Sequence, residues 1–210
     1  FEFNNLYHEH ISYGTLNDSD GNHFKTRDGG TKPLSELFDE TYQYIKNINS
    51  DLEDATIKQL ANSVLTFSDL ITNRKTDYKF DLEKFTNVNG KTGIYVQYAQ
   101  VRAKKLQQSI AEQKNEMESI VLSDVDKQLL SQLFMFGYFL EQSSSLNEPH
   151  HLANYLYDIS NSFNQFYEHE KLSEIKDINH LISKLYLINL FLTTSENVMF
   201  CLGMKPVDKM

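Results

Sequence analysis

Apolar residues recur along most of this chain at three- and four-residue intervals, the spacing that lines one face of an α-helix. Pro33 is well placed in a first helical turn, and Leu34, Leu37, Phe38, Thr41, Tyr44, Ile45 and Ile48 form a stripe behind it. Ile57, Leu60, Val64, Phe67 and Leu70 repeat the pattern over residues 56 to 73. Residues 77 to 89 alternate briefly and then meet Asn89-Gly90, a turn signal, so a domain boundary is placed between 85 and 86. From Gly90 onward the pattern is helical. One helix is expected over residues 91 to 117. A second, with Ser123 to Asp126 as an acidic N-cap, carries Val125, Leu129, Leu133, Phe136 and Leu140 to a polar break at 142–147. Pro149 opens a third, with Leu152, Tyr155, Leu156, Ile159, Phe163 and Phe166 facing inward. A fourth spans 177 to 202, with Gly203 as its stop and Pro206 beyond. Residues 1 to 31 hold four of the eight glycines and read as a strand end followed by a loop. The expected fold is therefore mainly α, an antiparallel helix bundle over 86–210 preceded by a shorter mixed region over 1–85.

Composition limits the function classes. A chain of 210 residues at 40% hydrophobic supports a sizeable core, much of it from 12 tyrosines and 14 phenylalanines. Nothing resembles a transmembrane run or a cleaved leader, so a soluble, cytoplasmic protein without a membrane partner is expected, and a monomer. The single cysteine, Cys201, excludes an internal disulfide, and its apolar helical context predicts a buried, unreactive thiol. A net charge of −9 argues against general nucleic-acid affinity, though not against a local contact face.

Such a face is visible between residues 86 and 111, which carry Lys91, Arg102, Lys104 and Lys105 and no acid. On a helix Tyr95, Tyr98 or Ala99, and Arg102 share one side. Rings there can stack on a splayed-out base, Arg can bind phosphate, and Ala leaves room for a nucleotide against the backbone. The same pattern also fits an amphipathic core helix with a solvated basic end. The seven histidines form no metal site by spacing: His8, His10 and the His150-His151 pair lack converging Cys or carboxylate partners, and no metal is expected. Nucleophile-elbow, Walker and dinucleotide motifs are missing, which argues against an independent hydrolase or dehydrogenase.

Several blocks, in order, carry a resemblance. Tyr95-Val-Gln-Tyr-Ala-Gln-Val-Arg102 resembles the Tyr-x-Gln-Tyr-Ala-His-x-Arg helix that opens the anticodon-binding domain of arginyl-tRNA synthetases, with Gln100 where His is usual. Tyr13-Gly14 with His10 before it, then Asp20-Gly21-Asn22-His23-Phe24-Lys25-Thr26-Arg27-Asp28-Gly29-Gly30, is similar to that family's Phe-Gly and its counterpart of the class I signature loop. Phe67 to Arg74 and Asp77 to Asp81 resemble the segment joining its two domains. Pro149 to Tyr157, Phe163 to Glu168 and Leu202 to Met210 resemble its C-terminal helices, with Glu170-Lys171 departing from the usual apolar step.

The resemblance implies the end of an α/β nucleotide-binding catalytic domain over 1–85 and a DALR-type helical anticodon-binding domain over 86–210. It implies a C-terminal piece of an arginine-tRNA ligase whose parent uses ATP and Mg2+ to join L-arginine to its tRNA. Lys25, Thr26 and Arg27 take the role of the loop that steadies ATP phosphates. Tyr95, Ala99, Arg102, Tyr167 and Met210 take that of tRNA contacts, with Met210 filling an apolar notch or offering a terminal carboxylate. The His-Ile-Gly-His-like motif is missing, so the piece alone is expected to be inactive and to hold no cofactor tightly. The alternative is a noncatalytic tRNA-binding or protein-interaction module derived from such an enzyme.

Overall fold

The computed structural model describes residues 8–17, 33–79, 81–110, 119–169 and 175–210. Helices α1 (Leu34–Ile48) and α2 (Asp54–Leu70) form a hairpin, and α1 turns Leu37, Thr41 and Ile45 onto its partner. The ends of the α1 stripe differ from expectation: among the described residues Leu34 and Ile48 are largely solvent-exposed, and the inward face is carried by Leu37, Thr41 and Ile45. Short strands β1 (Leu16–Asn17) and β2 (Tyr78–Lys79) pair in parallel beside them. A one-turn helix, α3 (Leu82–Phe85), interrupts the stretch read as alternating. It forms because the Asp81 carboxylate accepts from the Lys84 N–H (3.0 Å) and caps the turn.

The bundle comprises α4 (Gly93–Ile110), α5 (Asp124–Leu133), α6 (Phe136–Leu146), α7 (His150–His169) and α8 (Ile178–Cys201). Helix α4 is central. It packs on α2, α7 and α8, and its small residues permit this: Ala99 and Ala103 have no exposed surface, and a Cβ at Gly93 would overlap the Ser63 carbonyl of α2. One apolar cluster joins α4, α5, α7 and α8 around Phe163 and Phe191, whose rings stack with centroids 4.2 Å apart. A second cluster, Ile45, Ile57, Leu60, Val64, Ile94, Val101 and Val207, binds the α1–α2 hairpin to α4 and to the chain beyond α8.

The helix expected to run through 125–140 is two. It breaks at Phe134 and Met135 because the Tyr155 hydroxyl, arriving from α7, lies 3.2 Å from the Gln132 carbonyl and 3.1 Å from the Leu133 carbonyl. The Gln132 carbonyl also accepts from the Met135 N–H (3.0 Å), and the hydroxyl adds to the bonds that close the last turn of α5. Cys201 is also a correction. It is exposed, beside Phe200 on the solvent face of α8, since the last turn of that helix buries Val198, Met199 and Leu202 instead. Gly203 stops the helix as expected, with φ of 75°. Among the described residues no helix is long and apolar enough to cross a membrane.

The start of α5 holds a charge that its sequence does not announce as internal. Ser123 and Asp126 form a capping box, the Asp126 N–H donating to Ser123 Oγ and the Ser123 N–H to Asp126 Oδ2. The same carboxylate accepts from Lys184 Nζ of α8 at 2.6 Å on both oxygens, and neither side chain has exposed surface. The Phe166 ring lies 5.2 Å from that ammonium. Removing one partner leaves the other charge uncompensated in the core, so Lys184→Met is expected to lower stability by about 3–5 kcal/mol in urea unfolding. A loss below about 1 kcal/mol, the scale of an exposed pair, would show that the pair is hydrated in solution.

Candidate nucleic-acid interface

Three of the five expected RNA-contacting residues meet in one cleft. The Arg102 guanidinium lies between two rings, 4.3 Å from the Tyr98 centroid on its own helix and 4.8 Å from the Tyr167 centroid on α7. Arg102 Nη1 donates to Asn164 Oδ1 (3.1 Å) and stands 3.7 Å from Glu168 Oε1. Tyr98 is 36% and Tyr167 39% exposed, so each ring keeps solvent-facing surface despite the stack. Both rings line a cavity of about 340 Å3, together with Arg102, Lys105, Ser109 and Met210.

Met210 reaches this cavity because the tail after α8 is fastened to α4. Gln97, without exposed surface, donates through Nε2 to Ser63 Oγ (2.8 Å) and to the Lys205 carbonyl (2.7 Å), and its Oε1 accepts from the Val207 N–H (3.0 Å). Lys104 adds an ion pair to Asp208 at 2.7 Å, and this ammonium holds the Asp208 carboxyl below the usual carboxylate range. A depressed carboxyl contributes above its unfolded pKa, so this clasp is present at neutral pH and weakens as pH falls through the acid range. Val207 then enters the second apolar cluster, with Met210 packed against its edge.

The other two expected contacts lie elsewhere. Tyr95 is half-buried and faces α7, donating to Asn161 Oδ1 (3.1 Å), with its ring 5.3 Å from that of Tyr157. Burial first, then the neighbouring Tyr95, raises the Tyr157 hydroxyl above its ordinary value, and Lys91 Nζ lies 5.1 Å from its ring. Asn161 belongs to a separate polar cavity of about 340 Å3, lined also by Gln128, Gln132, Asp158 and Gln165. Ala99 departs from the expected surface patch. It is wholly inside the main cluster, so the room it leaves is taken by packing between helices. Gln100 is likewise internal, its Nε2 donating to Ser195 Oγ of α8 at 2.6 Å.

Tyr98 is the ring that sequence reasoning placed on the stripe without selecting. It lies one turn before Arg102, but Tyr95 lies two turns before it, so spacing puts both rings on the Arg102 side and does not separate them. The Lys25, Thr26 and Arg27 loop lies outside the described residues, as do residues 111–118 at the end of the expected first helix and Glu170-Lys171. His10 is exposed. The His150-His151 pair is not without a carboxylate: Glu148 lies beside both imidazoles.

The architecture and cleft define a helical bundle that presents paired aromatic rings and a guanidinium on one surface, the equipment of a single-strand nucleic-acid reader. The chain belongs to the DALR anticodon binding domain family, which it matches over residues 96–210, and residues 1–82 match the tRNA synthetases class I (R) catalytic domain. It is 35% identical over 178 residues to an arginine–tRNA ligase of Francisella tularensis subsp. novicida, covering 80% of this chain and 31% of that protein. To the arginine–tRNA ligase of Stutzerimonas stutzeri it is 32% identical over 212 residues, covering 96% and 37%. The chain thus spans about a third of the length of these curated relatives. Its fold is that of the Thermus thermophilus arginyl-tRNA synthetase structure, with a TM-score of 0.82 at 21% identity over 96% of this chain and 35% of that one.

Replacing Gln97 by Leu leaves the Val207 N–H without its acceptor, at a cost of about 1–3 kcal/mol. Hydrogen exchange at the Val207 amide should accelerate by more than that at the α4 amides. Equal acceleration throughout would show that Gln97 supports the bundle generally and does not anchor the tail.

Proposed function

We propose that the chain is the C-terminal part of an arginyl-tRNA synthetase, and that residues 86–210 dock the anticodon region of arginine tRNA. The parent enzyme would use ATP and Mg2+ to activate L-arginine in the cytoplasm. Residues 1–85 would close its catalytic domain, with Lys25, Thr26 and Arg27 steadying the ATP phosphates.

The observation that carries the reading is the Tyr98–Arg102–Tyr167 stack at the mouth of the cavity that Met210 helps line. An unpaired base can slide onto either ring, since each is partly exposed, while Arg102 turns its charge to the adjoining phosphate. The volume stands at the low end of small-ligand pockets, roughly 300–1,000 Å3, and so favours one base over an extended strand. Met210 supplies an apolar wall and Lys105 a second cation. Tyr95 and Lys91, on the neighbouring ridge between α4 and α7, would contact an adjoining nucleotide, and Ala99 acts through packing. Against a net charge of −9 the local cations give selective, salt-sensitive binding of modest strength.

Binding of this chain to arginine tRNA and to a noncognate tRNA, at two salt concentrations, tests the reading. Selective binding is expected. Tyr167→Ala or Tyr98→Ala should each weaken it by about 1–3 kcal/mol, as for loss of one stacked base. Arg102→Ala should reduce its salt dependence as well. Selective binding that neither tyrosine variant changes, with helical content intact, would move the contact away from this cleft.

A further inference from the structure

The turn between α6 and α7 gathers donors that the RNA-reading face does not use. Asn147 adopts a left-handed conformation (φ 52°) and ends α6, Pro149 follows, and the first two residues of α7 are His150 and His151. The tight turn places Glu148 against both rings: His151 Nε2 lies 3.3 Å from Glu148 Oε2, and the two imidazole centroids are 4.1 Å apart. One ligand atom from each of Glu148, His150 and His151 lies within 4.8 Å of the others. His150 Nδ1 is buried and has no hydrogen-bond partner, a polar atom of a kind seldom left unmatched in a folded protein.

We propose that Glu148, His150 and His151 bind a zinc-class divalent cation, with water completing a four-coordinate shell. Two imidazoles and one carboxylate are the donor set of a zinc site with an open position, and they discriminate against Mg2+ and Ca2+, which take oxygen donors. Donors about 2.0–2.2 Å from zinc stand about 3.3 Å apart in a tetrahedron, so modest ring rotations close the present spacing. The second shell is in place. Lys75 Nζ holds the other carboxylate oxygen, Glu148 Oε1, at 3.2 Å, which orients Oε2 for monodentate ligation.

Arg74 and Lys75 bring positive charge close to the site, which opposes a bound cation. Lys75 holds the Glu148 carboxyl below its usual range, and burial, then His151, holds the His150 imidazole below its own. The site occupies a joint of the molecule. Arg74 donates to the carbonyls of Asn147 and Ser12, and Asn147 Nδ2 donates to Glu9 Oε2 (3.4 Å). A bound cation would fix the turn on which residues 9–14 and 73–76 meet the bundle.

The test is titration of this chain with Zn2+ by calorimetry, and with Co2+ by visible absorption, which reports tetrahedral ligation. One equivalent should bind and raise the melting temperature. Glu148→Gln and His151→Asn should weaken binding by more than the roughly 10–100-fold that loss of an outer-shell partner costs, with helical circular dichroism retained. His8→Ala with His10→Ala should leave it unchanged. No saturable binding, binding unaltered in both the Glu148 and His151 variants, or loss in the His8/His10 variant would overturn the proposal.

Discussion

A single buried amide, that of Gln97, holds the parts of the molecule that form the cleft. Its three hydrogen bonds reach α2, the Lys205 carbonyl and the Val207 N–H, over sequence separations of 34, 108 and 110 residues. Such an interaction brings distant segments together only after the loops between them have closed, which is costly in chain entropy. The cost is met by the apolar surface that follows, with Val207 and Met210 entering the cluster of the α1–α2 hairpin. Because the amide lies in the second turn of α4, the same helix that carries Tyr98 and Arg102 also carries the anchor for Met210. Their relative placement is thus set within one rigid element.

The far side of the bundle is organised by polar groups used in a similar way. Asp126 caps α5 and neutralises Lys184 of α8, so the start of one helix is fixed to the first half of another. Tyr155 of α7 satisfies the carbonyls where α5 ends. Both ends of α5 are therefore in contact with polar groups from other helices, and the direction of α7, which delivers Tyr167 to the cleft, is coupled to them.

The helices themselves were legible because their apolar period is strong and their stops are chemical. Pro33, the acidic cap at Ser123 and the positive-φ Gly203 act within a few residues of sequence. The break after Leu133 was not legible, since a hydroxyl 22 residues away decides it. Nor was the choice between Tyr95 and Tyr98. It depends on the rotation of α4 about its axis, which Ala99, Ala103 and Gly93 fix by close contact with other helices. Gln97 and Lys184 read as ordinary polar positions, and only packing shows them to be internal. Glu148 could have been noticed, since residues three apart across a turn into a helix are neighbours in space.

The arrangement of Arg102 between two tyrosines also governs the cleft when it is empty. A planar cation already fills the space between the two rings, so their facing sides are not left as a bare apolar slot that would draw unspecific partners. An arriving planar group meets an occupied seat and enters by exchange. Groups that stack no better than a guanidinium gain nothing from entering, and those that also offer an anion within reach of the displaced Arg102 gain twice. The free state of the cleft is thus itself a filter on what can occupy it.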